Sequence, residues 1–293
     1  MESQEVFKYC VRRTAMAGPP AMNHEPKAGR YLHGYSRDEQ RRLVDQAEYW
    51  RDRLILPDLP YGPGHRLLDV GCGAGAVLGV IGRAHPELKL AGIDREPAQI
   101  EAAQRHLAGL GLTAADLRVG DAARLPWPDA SFDHAFMMWF VEHVRGIEPI
   151  LRDVRRVLAP GSTITVIETE YDSFHVWPQN ADWNYLMAAM YRYFELHGEP
   201  LAGKRLGPLL VAAGFTRVCN ELAGVHFFAA PGCDALRRHV DYTVGYVAPA
   251  IPEFIALGFE EARLQRGLEH LLSLPEHPQA AFTHHVYRAR GFA

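Results

Sequence analysis

The chain has 293 residues, of which 48% are hydrophobic and 23% charged, with a formal net charge of −4 at pH 7. That length buries a large core, either in one α/β domain or in a domain carrying a cap, and no 18-residue apolar run suggests a membrane span. A mildly acidic chain without a basic run has no electrostatic footprint for DNA or RNA phosphates, so small molecules are the expected partners.

The first 26 residues mix Arg12, Arg13, Pro19, Pro20 and Glu25 without an apolar stretch, and do not read as a secretory signal. Cys10, Cys72, Cys219 and Cys233 are scattered and form no CxxC pair, which argues against a metal site or a disulfide framework and for a cytoplasmic location. Residues 1–36 read as an arm ending in "YLHGYS", Tyr31 to Ser36, unusually aromatic for a turn.

Ser36 followed by Glu39 predicts a capped helix start, and Leu43, Ala47, Trp50 and Leu54 then mark one helical face. Arg66 to Val70 reads as a buried strand, Ala76 to Ala84 as a helix, Lys89 to Ile93 as a second strand and Pro97 to Leu110 as a second helix. A third strand precedes Asp121, a fourth covers Asp133 to Met138, a helix runs Glu148 to Leu158, and "APGS" turns into a strand over Thr163 to Glu170. Such alternation predicts a parallel sheet with right-handed crossovers. Asn180 to Leu196, Gly203 to Ala213 and most of Cys233 to Leu274 read as helices outside the alternation, a cap over the sheet's ligand edge. Phe215 onward and Ala281 onward resume strand character.

The chemistry concentrates in "LLDVGCGAG", Leu67 to Gly75: a strand running into a glycine-rich loop and then a helix. Without Cβ atoms such a loop brings backbone N–H groups and a helix N-terminus close to a ligand. Gly71, Gly73 and Ala76 also satisfy the dinucleotide fingerprint, so an NAD-dependent oxidoreductase stays open at this point. Asp69 tilts the reading, because a carboxylate at the strand end suits an ammonium group and repels a pyrophosphate. Asp94, ending the second strand, is placed to bind both hydroxyls of a ribose, and Asp121 to accept from an adenine amino group. Amino acid, ribose and adenine together describe S-adenosylmethionine.

From about Tyr31 to Phe215 the chain resembles the class I S-adenosylmethionine-dependent methyltransferases of the bacterial small-molecule type, through "DVGCGAG", "GIDREPAQIEAAQ", "GDAARLPWPDASFD", "FVEHV" and "VLAPGSTI". Ser162 departs from the second glycine many relatives carry after the proline. The resemblance implies an α/β, Rossmann-like, doubly wound, mostly parallel seven-stranded sheet over 37–293, with cap insertions at about 173–214 and 231–275. It gives Gly71, Gly73 and Gly75 to the methionine portion, Asp69 to its ammonium, Asp94 and Gln99 to the ribose, and Asp121 with Ala122 to the adenine. Met137 and Met138 should line the methionine side. In similar enzymes a tyrosine-containing segment folds over the cofactor, which assigns Tyr31 and Tyr35 to a lid, and relatives allow a homo-oligomer with lid exchange.

Methyl transfer needs an acceptor held in line with the methyl carbon, and such alignment contributes as much as about 7–11 kcal/mol. A general base is required only where the nucleophile carries a poorly acidic proton. Candidates beyond the strand ends are Glu142 and His143 after the fourth strand, and Glu170, Tyr171 and His175 after the fifth, with Glu170 foremost. The surrounding aromatic residues favour a flat or greasy acceptor, for O-, N- or C-methylation, isoprenoid C-methylation included. A protein that binds S-adenosylmethionine without transferring its methyl group has the same cofactor motif.

Overall fold

The Ser36 hydroxyl accepts the Glu39 amide proton at 3.1 Å and so opens α1 (Arg37–Trp50), which widens into a looser turn at Arg51–Ile55. The computed structural model describes residues 31–293; of the expected arm and lid, residues 1–30 lie outside the described residues.

The expected alternation follows: β1 (Arg66–Val70), α2 (Ala76–Ala84), β2 (Lys89–Asp94), α3 (Pro97–Gly109), β3 (Asp116–Val119), β4 (Phe132–Met138), α4 (Glu148–Val157) and β5 (Leu158–Trp177). Then come α5 (Ala181–His197), α6 (Ala202–Ala212), β6 (Thr216–Leu222), β7 (Val225–Phe228), α7 (Ala235–Val247), α8 (Ile251–Ala256), α9 (Glu261–Ser273) and β8 (Ala281–Phe292). The sheet order is β3-β2-β1-β4-β5-β8-β6, and β7 also pairs with β8. β1 to β5 are parallel, while β8 runs antiparallel between β5 and the β6/β7 edge. The eight strands make seven lines, because β6 and β7 are one edge strand interrupted at Ala223 and Gly224. The Ala223 N–H still donates to the Val286 carbonyl at 2.7 Å and keeps both halves on β8.

Period-two alternation sends Leu67 and Phe136 to the face covered by α1 and α2, and Leu68 and Met137 to the face covered by α4 and α6. α6, which its chain position had grouped with the cap, packs on the sheet and buries Leu206 and Leu210 beside Val154 and Val166. α3 joins α1 and α2 on their face, while α5, α7, α8 and α9 form a separate apolar cluster with Trp183, Phe194, Val240 and Phe254 inside and Phe282 of β8 beneath.

β5 differs from its expectation at both ends. "APGS" is a bulge within the strand, where the β4–β5 register shifts between Phe132 and His134 and Gly161 takes φ +83°. Beyond Glu170 the strand continues to Trp177, because β8 offers partners again after a second irregularity between Glu170 and His175. Among the described residues no helix is long and apolar enough to cross a membrane.

Candidate cofactor and acceptor site

A cavity of about 430 Å³ opens at the carboxyl ends of the parallel strands, the edge where open α/β sheets bind ligands. One half is walled by the loops after β1, β2 and β3. Asp69, 3% exposed, lines it, and its Oδ2 is buried without a hydrogen-bond partner. Burial, and then the neighbouring Asp94 charge, pushes the Asp69 carboxyl up to about 8. A cation beside it would relieve that cost.

Asp94 is oriented by the chain itself, since its Oδ2 accepts the Gly73 amide proton at 3.0 Å and its Oδ1 that of Glu96 at 2.9 Å. Burial raises its proton affinity, and those two backbone bonds oppose the rise. Asp121 stands exposed at the rim, with Oδ1 accepting the Ala123 amide proton at 2.9 Å, and Ala122 and the buried Gln99 complete this wall. Gly71, at φ +74°, admits no side chain, because a Cβ there would meet the Phe140 ring at 2.2 Å. Gly73 lines the cavity; Gly75 does not, and caps α2 instead, at φ +75°, where it packs onto Ala103 of α3.

Tyr31 and Tyr35 both line the cavity mouth and stack on each other at 5.7 Å. The Tyr31 hydroxyl donates to Glu39 at 2.8 Å, Glu39 forms a two-pronged pair with Arg42, and Arg42 continues to Gln46. The Tyr31–Ser36 segment is thereby tied to one face of α1, and Leu32 is buried in the cap cluster.

The other half is aromatic. Met138 ends β4 and Trp139 follows it, with its indole N–H donating to the Thr169 hydroxyl at 3.0 Å. Tyr171 and Phe174 of β5 stack at 5.8 Å, Phe174 stacks on His284 of β8 at 4.7 Å, and Tyr242 and Tyr246 of α7 close the chamber. His143 also lines it; burial, then Arg95 and Arg42, lowers its imidazole to about 3, so the ring is neutral. Glu142, 4% exposed, is the carboxyl of this half: Tyr171 donates to its Oε1 at 3.2 Å, and His143 Nε2 stands 3.4 Å away.

Besides Gly75, three expected residues lie elsewhere. Met137 is fully buried under α4, because neighbouring strand residues point to opposite faces and Met138 takes the cavity side. Glu170, 1% exposed, falls on the opposite face from Thr169 and Tyr171 for the same reason; it meets Lys204 of α6, Oε2 to Nζ 3.4 Å, and does not line the cavity. Burial lifts it to about 7 with Lys204 opposing, which reflects packing away from the ligand edge. His175 is exposed in the extension of β5, beyond the cavity. The residues that sequence reasoning missed, Arg42, Gln46, Tyr242, Tyr246 and His284, come from α1, α7 and β8, and no local motif marks them.

Residues 68–166 match the family described as a methyltransferase domain. The chain is 32% identical to the O-methyltransferase resE of Aspergillus sclerotiorum over 190 residues, covering 64% of this chain and 67% of that protein. It is 33% identical to the ajmaline N-methyltransferase of Rauvolfia serpentina over 127 residues, 43% of this chain and 42% of that protein. The chain thus spans less than half the length of this and several other curated relatives. In fold it is similar to phosphoethanolamine N-methyltransferase 2 of Haemonchus contortus, at a TM-score of 0.54 and 15% identity, covering 90% of this chain and 60% of that one. With the glycine loop and its three acidic positions on one cavity, the chain belongs to the class I S-adenosylmethionine-dependent methyltransferases, and S-adenosylmethionine is its cofactor.

Proposed function

We propose that this chain methylates a small, partly hydrophobic acceptor, as a cytoplasmic enzyme of specialised metabolism. The observation that carries the reading is a single cavity joining the acidic ends of β1, β2 and β3 to the aromatic chamber at β4, β5 and α7. The residues fit the cofactor: the unpartnered Asp69 Oδ2 suits an ammonium, directly or through water, and Asp94, its carboxylate held by two backbone bonds, suits a ribose diol. Gly71 and Gly73 give the methionine portion a wall without side chains, while Asp121, the Ala122 backbone and Gln99 receive the nucleoside. When bound, the cofactor supplies an electrophilic methyl group on a good leaving group. Tyr31 and Tyr35 close over it and exclude water. Trp139, Tyr171 and Phe174 hold the acceptor plane against Met138, and the neutral His143 adds no positive charge beside them.

The test is calorimetry with S-adenosylhomocysteine and NADH, followed by assay of S-adenosylhomocysteine release with small aromatic acceptors. The reading requires tight binding of the first ligand, none of the second, and acceptor-dependent release. Binding without release from any acceptor would favour a protein that holds S-adenosylmethionine without transferring its methyl.

A further inference from the structure

The acceptor chamber is centred on an acid. Glu142 follows β4 in the short turn Val141–His143 and lines the cavity. Behind it lies a second carboxyl, Glu168, fully buried, which accepts the amide protons of Phe140 and Val141 at 2.8 and 2.7 Å and that of Glu142 at 3.4 Å. Burial lifts Glu168 to about 7 while those three N–H donors oppose the rise; Glu142, without such donors and raised by burial and then by the Glu168 charge, is the member of the pair that keeps the proton. Tyr31, Tyr171, Tyr242 and Tyr246 all lie close enough to sense the Glu142 charge. Of the arginines lining the cavity, Arg42 is held by Glu39 and Gln46 and Arg145 donates to the Glu195 carbonyl, while burial, with Arg95 and Arg42, keeps His143 neutral and burial keeps His284 so.

An acid enclosed by ring faces and uncharged imidazoles favours one kind of ligand. A cation gains from the carboxyl pair and from the negative faces of the rings. A carboxylate or phosphate would meet Glu142 and Glu168 in a poorly solvated site, and an alcohol would gain a single hydrogen bond. We infer that the acceptor is an amine, and that Glu142 anchors its ammonium form and receives the proton that must leave before nitrogen can attack. The inference rests on the methyltransferase reading and names its substrate class.

The step balances. An entering ammonium displaces the Glu142 proton to solvent and pairs with the carboxylate. One N–H proton then passes to Glu142 and frees the nitrogen lone pair. That pair forms the new C–N bond to the methyl carbon as the S–C bond breaks, with its electrons going to sulfur. A secondary amine gives a tertiary ammonium and S-adenosylhomocysteine, and Glu142 is again protonated. The groups facing Glu142 are Glu168 and Tyr171 from β5, His143 beside it, Arg42 from α1, Tyr31, and Tyr242 and Tyr246 from α7. The tyrosines are raised and the imidazole is lowered, which leaves the carboxyl pair as the group that exchanges a proton with the amine.

Three matched probes test it: phenethylamine, 2-phenylethanol and 3-phenylpropionate, titrated by calorimetry into the full chain saturated with S-adenosylhomocysteine, in two buffers of different ionisation enthalpy. The amine should bind at least about tenfold more tightly than either other probe, with release of a proton, and Glu142→Gln should shrink that preference to about twofold or less. An amine bound no better than the alcohol, the absence of proton release, or an undiminished preference in Glu142→Gln would each overturn the assignment. Should that variant not fold, the wild-type proton count decides alone. Saturation with S-adenosylhomocysteine, measured first, tests the cofactor reading separately.

Discussion

The two halves of the cavity are built in opposite ways. The cofactor half uses short strand–loop–helix units, so Asp69, Gly71 and Gly73 stand within five positions of chain, and Asp94 is tied back to Gly73 by a backbone bond. The acceptor half is assembled across the chain, from Met138 at the end of β4 and Glu142 after it, Tyr171 and Phe174 in β5, Tyr242 and Tyr246 in α7 and His284 in β8. The first half presents carboxylates and bare backbone, which the proposed function gives to the cofactor; the second presents rings, which it gives to the acceptor. Changes in the first half should therefore act on cofactor affinity, and changes in the second on turnover and acceptor choice.

The largest break should come from Gly71→Ala. Positive φ costs a non-glycine residue roughly 1–3 kcal/mol, and the clash with Phe140 adds overpacking of similar size. S-adenosylhomocysteine binding should fall below detection in calorimetry while the far-UV circular dichroism stays native; unchanged affinity would show that the loop tolerates a side chain. Next, Asp94→Ala should weaken S-adenosylhomocysteine by at least about 100-fold, since charge-assisted hydrogen bonds contribute about 1.5–3 kcal/mol each. A folded variant with wild-type affinity would remove Asp94 from the ribose.

A pH effect separates Asp69 from its neighbours. Its carboxyl is raised from 3.8 to about 8 in the folded protein, so the folded state binds that proton more tightly than the unfolded one. Its contribution to stability is accordingly present at low pH and is lost as pH rises through that window. The ligand-free melting temperature should be lower at pH 8 than at pH 6, and the drop should be smaller in Asp69→Asn. An equal drop in both proteins would assign the titration to other buried carboxyls.

The smallest effect is expected at Glu170. Glu170→Gln, scored by S-adenosylhomocysteine release, should leave turnover within about twofold, since the residue faces Lys204 on the far side of β5 and general-base loss would cost about 10² or more. A fall of that larger size would return Glu170 to the chemistry.

The same contrast explains what the sequence made legible. Strand-end acids and glycines carry their role in their spacing, and the Ser36 cap and the α2 and α3 boundaries follow from local rules that the structure keeps. Period two was available to separate Met138 from Met137 and Thr169 from Glu170, but it needs one inward residue fixed beforehand, and the bulges at "APGS" and after Glu170 blurred where β5 begins and ends. Tyr242, Tyr246 and His284 reach the cavity only through the packing of α7 and β8, which no local pattern encodes. α6 looked like its cap neighbours, because an amphipathic helix does not state which apolar surface it will cover.

The division of the cavity is tested most directly by a crystal structure of the chain with S-adenosylhomocysteine. The ribose hydroxyls should lie at hydrogen-bond distance from Asp94, roughly 2.6–3.2 Å, with the amino group toward Asp69 and the sulfur facing the chamber of Tyr171 and Glu142. A ligand bound elsewhere, or with its sulfur turned away from that chamber, would contradict the account.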